Sequence, residues 1–295
     1  MATREYLKKR TTRTIYGNAV QTALALNKVH KVKQYTTLNE KLGIKQTESL
    51  TDFDRPEIKM FVIGIGGHSF TLGKNNIPLP TAVEHETTDA ALYQQIPFVV
   101  RAVGDDLTTA ERARFRLRKL ISINNVTYIA YYGRLFDSAN TSIDMTTNLR
   151  DNNTGNITTT PFTPTSANLN PQPPVTSNSG EIPASDTYMQ VNAEIDLTMS
   201  SADLAELRDV ARILFGDESY AMVSEWGVCS CVDTQAQGQD GQGNQFEYTE
   251  ALAVQINDHI TSGEPRTAEN VSIAMTVNMG ASDPLLAQGT RTASV

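Results

Sequence analysis

Residues 114–136 read RFRLRKLISINNVTYIAYYGRLF, and this stretch decides the fold class. Arg114, Arg116 and Arg118 alternate with Phe115 and Leu117, and the apolar run continues through Leu120, Ile121 and Ile123. A period of two belongs to a strand, not to a helix. Asn124-Asn125 interrupts the run, and a second β-branched and aromatic segment follows to Phe136. Asparagine tolerates the positive φ that a two-residue hairpin turn demands. The stretch therefore predicts an antiparallel hairpin over 114–136. Alternation places Arg114, Arg116 and Arg118 on one strand face, opposite the apolar side.

Working outward, Thr108 and Glu111 have capping-box spacing, which predicts a brief helical turn before the hairpin. Upstream, residues 59–65 (KMFVIGI) and 96–103 (IPFVVRAV) read as strands, the first ending in Gly66-Gly67 and the second in Gly104-Asp105-Asp106. Pro78 and Pro80 exclude a helix between them. Downstream, apolar and polar residues alternate from Met189 to Met199, a half-buried strand. Ser200 with Asp203 then opens a helix over 201–215, with Leu204, Leu207, Val210, Ala211 and Leu214 on one face and Gly216 as its stop. Residues 220–232, 246–256 and 271–279 complete the predicted strands, with 235–245 and 261–266 as flexible links.

The expected architecture is α+β: mainly antiparallel strands, one well-formed amphipathic helix, a basic N-terminal arm and a long Thr/Asn/Pro-rich loop. Residues 1–50 form the arm, with a short helix inside 15–32. Residues 51–136 and 188–295 are two β-rich parts of one core, and 137–187 are the polar loop. That loop holds almost no large apolar side chains. Its fifty or so residues far exceed the usual connection of about 4–6. A tract too polar to pack on itself is disordered when alone, so order in it points to a neighbouring molecule.

Composition points to a soluble, cytosol-made, Thr/Asn-rich protein. Apolar residues make up 39% and charged residues 20% of 295, both below the usual averages of roughly 45–50% and about 25%. Threonine (35) and asparagine (20) fill the gap. Two cysteines exclude a disulfide-framed scaffold. No apolar run approaches the roughly 20 residues of a transmembrane helix, and the first residues do not read as a secretory signal. The net charge of −8 conceals an asymmetry: residues 1–46 hold ten bases and two acids, whereas 151–295 hold nineteen acids and four bases. Opposite potentials on one chain suit head-to-tail packing of identical copies or docking on a neighbour. A solvated arm, or nucleic acid at Lys8, Lys9, Arg10 and Arg13, is the competing reading.

Candidate chemistry is sparse. Gly64-Ile65-Gly66-Gly67-His68 lacks P-loop spacing, Asn75 stands where Ser or Thr is needed, and Pro78 forbids the following helix. This is a strand-end turn. His68 and His85 read as surface histidines, and His30 and His259 have no partner in the pattern. Cys229 and Cys231 read as buried thiols beside Trp226. No nucleophile elbow, metal-ligand spacing or cofactor motif is present, so the sequence predicts no cofactor. The functional candidates are Arg112, Arg114, Arg116 and Arg118, a guanidinium row suited to the carboxylates of a neighbouring subunit or to protecting an edge strand. Lys8, Lys9, Arg10 and Arg13 join them as interface candidates.

The stretch VEHETTDAALYQQIPFVVRAVGDDLTTAERARFRLRKLISINNVTYIAYYGRLFD (83–137) resembles virion structural proteins of tailed bacteriophages, over roughly a fifth of the chain. The resemblance implies a place in the neck, tail or baseplate, where proteins of this size form rings or wedges. Its partners there are other copies of itself and other virion proteins, with no membrane. It implies a virion location after synthesis in the host cytoplasm. The leading expectation is a non-enzymatic subunit whose arm and loop wrap its neighbours. An outward-facing decoration or receptor-contacting module, and an unrecognised cytosolic enzyme, are the alternatives.

Overall fold

A computed structural model of the chain describes residues 9–44, 55–138, 141–151, 153–170, 184–269 and 272–286. Lys8 lies outside them. In chain order the elements begin with β1 (Lys9–Arg13), α1 (Ile15–Ala25), α2 (Leu38–Leu42), β2 (Glu57–Gly64), β3 (His68–Leu72) and β4 (Pro78–Ala82). Next come β5 (Gln95–Ile96), β6 (Val99–Ala102), α3 (Thr109–Arg112), β7 (Phe115–Ile123) and β8 (Val126–Leu135). Strands β9 (Ile143–Arg150), β10 (Ile157–Pro161) and β11 (Ala184–Met199) precede α4 (Ser201–Phe215). The long strands β12 (Met222–Gln239), β13 (Gln245–Thr267) and β14 (Ile273–Leu286) close the list. The fold is mostly antiparallel sheet with a few helices, an α+β arrangement.

The chain divides into two units: residues 1–136 with 197–274, and residues 137–196 with 275–295. In the first, eight strands form one sheet in the order β1-β13-β12-β2-β8-β6, with β5 on β2 and β7 on β8. The predicted hairpin is β7–β8, closed at Ile123↔Val126 with Asn124 and Asn125 at φ +50° and +64°. Alternation along β7 buries Phe115 and Leu117 and leaves Arg116 and Arg118 half-buried. The predicted caps also form. Thr108 with Glu111 and Ser200 with Asp203 make reciprocal capping boxes, and Gly216 ends α4 in the left-handed region at φ +76°.

Two predicted links are strand instead. β12 and β13 pair from Met222↔Thr267 to Gln239↔Gln245, leaving 240–244 as the turn. There Asp240 Oδ1 accepts the amides of Gln242 and Asn244. The glycines and glutamines of this hairpin lack the apolar alternation of a strand, so its pairing was invisible in the sequence.

The N-terminal region is also no free arm over its described part. β1 pairs with β13 from Lys9↔Ser262 to Arg13↔Asp258. Thr14 caps α1 through the Gly17 amide and donates to the Ile256 carbonyl. Leu38 and Leu42 of α2 enter the core with Met60, Val62, Val254 and Ile256. Asn39 does the most specific task. β13 bulges where Ala253 takes φ +53°, a conformation that costs a residue with a Cβ about 1–2 kcal/mol. Asn39 Nδ2 donates to the Ala251 carbonyl at 2.8 Å, and its Oδ1 accepts the Val254 amide at 2.9 Å. One buried side chain thus satisfies both backbone groups of the bulge.

The second unit corrects the reading of 137–187 as a loop over its described residues, while 139–140, 152 and 171–183 lie outside them. β9 and β10 form a hairpin, and a four-stranded sheet runs β10-β9-β11-β14. The hairpin turns at Asp151, whose Oδ1 accepts the Asn153 amide, and at Gly155, φ +73°. The register Leu149↔Thr187, Met145↔Val191, Ile143↔Ala193 aligns the apolar side chains of β9 and β11 on one face. The other face is polar: Thr159 Oγ1 donates to Asn148 Oδ1 at 2.7 Å, and Asn148 Nδ2 reaches Gln190. These residues owe their order to strands of their own chain. The argument that an ordered polar tract requires another molecule therefore does not apply to them.

Candidate interaction surfaces and a buried histidine cluster

The arginines singled out by alternation face carboxylates of their own chain. Arg112 and Arg118 converge on Asp106, at 3.4 and 3.3 Å. Tyr131 donates to the other oxygen of that carboxylate at 2.5 Å. The Arg112 guanidinium also lies 3.7 Å from the centre of the Phe246 ring and donates to the Leu107 carbonyl. Arg114 meets Asp203 at 2.8 Å, and Arg134 meets the same carboxylate at 2.7 Å. Arg116 pairs with Asp233 at 3.1 Å. The acids expected from a neighbouring subunit are supplied by 106, 203 and 233 of the same chain, because hairpin and helix fold onto one sheet. Asp203 is held below the ordinary carboxylate range against the opposing effect of its burial, by the Ser200 amide and by Arg134.

The basic N-terminal residues are engaged as well. Arg10 pairs with Glu84, and Arg13 with Asp258 at 3.0 Å. Lys9 stands opposite Ser262 on β13.

The structure brings together histidines that the sequence left scattered. His85 is buried, not superficial. Its Nε2 lies 2.7 Å from Glu225 Oε1 and its Nδ1 lies 3.1 Å from Asp89 Oδ2. The ring stacks on His259 at 3.9 Å and on Tyr93 at 4.4 Å. Glu225 is fully buried and also accepts the Tyr93 amide at 2.8 Å. Burial, reinforced by the neighbouring His85, pushes His259 down to about 4. Beside this cluster, Ser224 Oγ accepts the Gly67 amide and lies 3.0 Å from His68 Nδ1. The glycine run is explained here: a Cβ on Gly67 would sit 2.1 Å from the Ser224 carbonyl oxygen, and one on Gly64 would sit 2.7 Å from Glu225 Oε2. The cluster staples residues 85–94 to β12 and β13. It contains a serine and histidines, yet Ser224 is wholly buried, so its hydroxyl offers no face to a substrate.

The open cavities elsewhere among the described residues include two of note. One of about 150 Å³ is lined by Arg112, Gln235, Glu247 and Tyr248. The other, about 380 Å³, is lined by Arg208, Glu218, Thr267 and Glu269. Neither collects the histidines. Cys229 and Cys231 are free and buried as the pattern indicated, and burial raises both thiols, Cys231 to about 12. No group of three or more His, Cys, Asp or Glu suited to a metal occurs among the described residues.

The outward-facing features are apolar. On the four-stranded sheet, Ile143 is 75% exposed, Leu149 52%, Met145 43% and Val191 43%. On the β3–β4 hairpin, Phe70 and Leu72 lie opposite Pro80 and Pro78, and Phe70, Leu72 and Ile77 are all exposed. Large exposed apolar patches are uncommon on proteins that act alone.

A family model described as "Family of unknown function (DUF7208)" matches residues 1–294. No curated protein and no solved structure matches the chain.

Proposed function

Because the chain belongs to the DUF7208 family, whose function is unknown, we propose its role from its own surfaces: a non-enzymatic structural subunit that assembles in multiple copies. The apolar face of the four-stranded sheet carries this reading. Four large side chains on one face of a unit with few others like them are left in water, and each regains roughly 1–3 kcal/mol when a partner covers it. The charged groups of the body add support. Those singled out in the hairpin are consumed in ion pairs that hold the fold, and the buried histidines serve as a staple. The setting we propose is the baseplate, tail or neck of a tailed-phage virion, on the resemblance of residues 83–137 to such proteins. The N-terminal residues and the 137–187 tract are its contact elements.

The test is the mass of the purified full chain across a concentration series, by light scattering and electron microscopy. Closed rings or regular oligomers are the expected result. A monomer at every soluble concentration refutes the reading. The exposed β3–β4 hairpin favours a second reading, an outward-facing binding module. Protease cutting within 68–82 of the intact particle supports that module, and protection supports the buried subunit.

A further inference from the structure

We propose that the apolar face of the four-stranded sheet packs against the same face of a second copy, so that two sheets close into one two-layer sandwich about a two-fold axis. This proposal rests on the subunit reading above and names the partner of that face.

The register sorts the side chains of this sheet into two unlike faces. Leu149 stands opposite Thr187, Met145 opposite Val191 and Ile143 opposite Ala193, while Thr158 of β10 stands opposite Leu149. Thr147 Oγ1 reaches Met189 Sδ at 3.2 Å on the same side. Among the described residues of β9, β10 and β11, this face holds no charge. Alternation sends Asp144, Arg150, Asp186 and Glu194 to the other face, where all four are exposed. The charged face belongs in water. A sheet with one apolar face is completed by a second layer laid over it.

Composition and size select a second copy as that layer. The adjoining segments outside the described residues, 171–183 and 287–295, hold only Val175, Ile182 and Val295 as large apolar residues. Four prolines in the first of them bar it from a sheet interior. A partner that brought charge to this face would bury it unpaired, whereas the same face of another copy brings none. Four strands about 4.8 Å apart, with β9 running eight residues at about 3.3 Å each, give a face of roughly 500 Å². Two such faces bury about 1,000 Å², enough for a specific interface. Both partners offer one patch, so the contact is isologous and closes on itself.

The test is sedimentation of the full chain and two charge variants. Ile143→Lys/Leu149→Lys and Ile143→Glu/Leu149→Glu each set like charges across the proposed contact. Both positions lie open, at 75% and 52% exposure, and circular dichroism checks that the variants fold. Wild type is expected as a dimer, or an even multiple of one, that does not weaken as salt rises. Each variant alone is expected at half the wild-type mass. An equimolar mixture of the two should recover that mass, now weakening with salt because lysine faces glutamate. Met145→Lys and Met145→Glu replace a pair that does not fold. Variants that keep the wild-type mass, or a mixture that stays at half of it, overturn this contact while the subunit reading stands. A wild type that is monomeric at every soluble concentration overturns both.

Discussion

His85 Nε2 lies 2.7 Å from Glu225 Oε1, and both side chains are closed to solvent. A buried carboxylate is tolerated only when its oxygens are occupied by donors. Glu225 Oε1 has both the imidazole and the Tyr93 amide, and Oε2 accepts the Gln94 amide at 3.4 Å. The pair ties residues 85–94, which carry no long element of their own, to the central strand β12.

Removing one partner strands the other. Glu225→Ala should destabilise the chain by roughly 3–5 kcal/mol, because it leaves His85 and the Tyr93 amide buried without an acceptor. Urea unfolding of the variant measures this. A loss below about 1 kcal/mol would show that water reaches the site.

His259 predicts a dependence on pH. Its folded value of about 4 lies below the ordinary 6.5, first through burial and then through His85. The unfolded chain therefore binds the proton first as pH falls. The stabilisation is complete above about 6.5 and is lost as pH falls through about 4, at most about 3 kcal/mol. Asp258, raised by its burial, acts in the opposite direction in the low part of that range. Asp203, held down, loses its contribution only at lower pH. His259→Gln keeps a donor for the Asp89 carbonyl and should flatten the fall in melting temperature between pH 6.5 and 4. An unchanged slope would remove His259 as its source.

Asn39 holds the β13 bulge. Asn39→Ala should cost roughly 2–4 kcal/mol, one unpaired buried group at each end of the lost amide. Ala253→Gly should go the other way by about 1 kcal/mol, since glycine occupies φ +53° without strain. Chemical denaturation of the two variants checks both signs.

Charge reversal at Arg114 and Arg116 tests whether these residues serve the fold. Arg114→Glu/Arg116→Glu places carboxylates against Asp203 and Asp233. The double variant should lose roughly 1–3 kcal/mol, discounted for the half-exposed Arg114. Thermal melting of the isolated chain reads this out. An unchanged melting temperature would return the arginines to the list of intersubunit contacts.

Legibility followed the density of the pattern. The β7–β8 hairpin, the capping boxes and α4 were plain in the sequence, because alternation, turn asparagines and cap residues act between neighbours in the chain. β9 carried a faint signal: Ile143, Met145 and Leu149 share a parity with Thr147 between them. Threonine favours strands but dilutes the apolar count, so the segment read as loop. The β12–β13 turn region was hidden by glycine and glutamine in the same way.

The sequence by itself determined the class of fold, the hairpin, the long helix and the opposition of a basic beginning to an acidic remainder. Only the tertiary structure decided who meets whom. Arg112, Arg114, Arg116 and Arg118 spend their charge on Asp106, Asp203 and Asp233, and His85 reaches Glu225 across 140 positions. Such pairings depend on strand order and register, which are set by burial summed over the sheet rather than by any local run of residues.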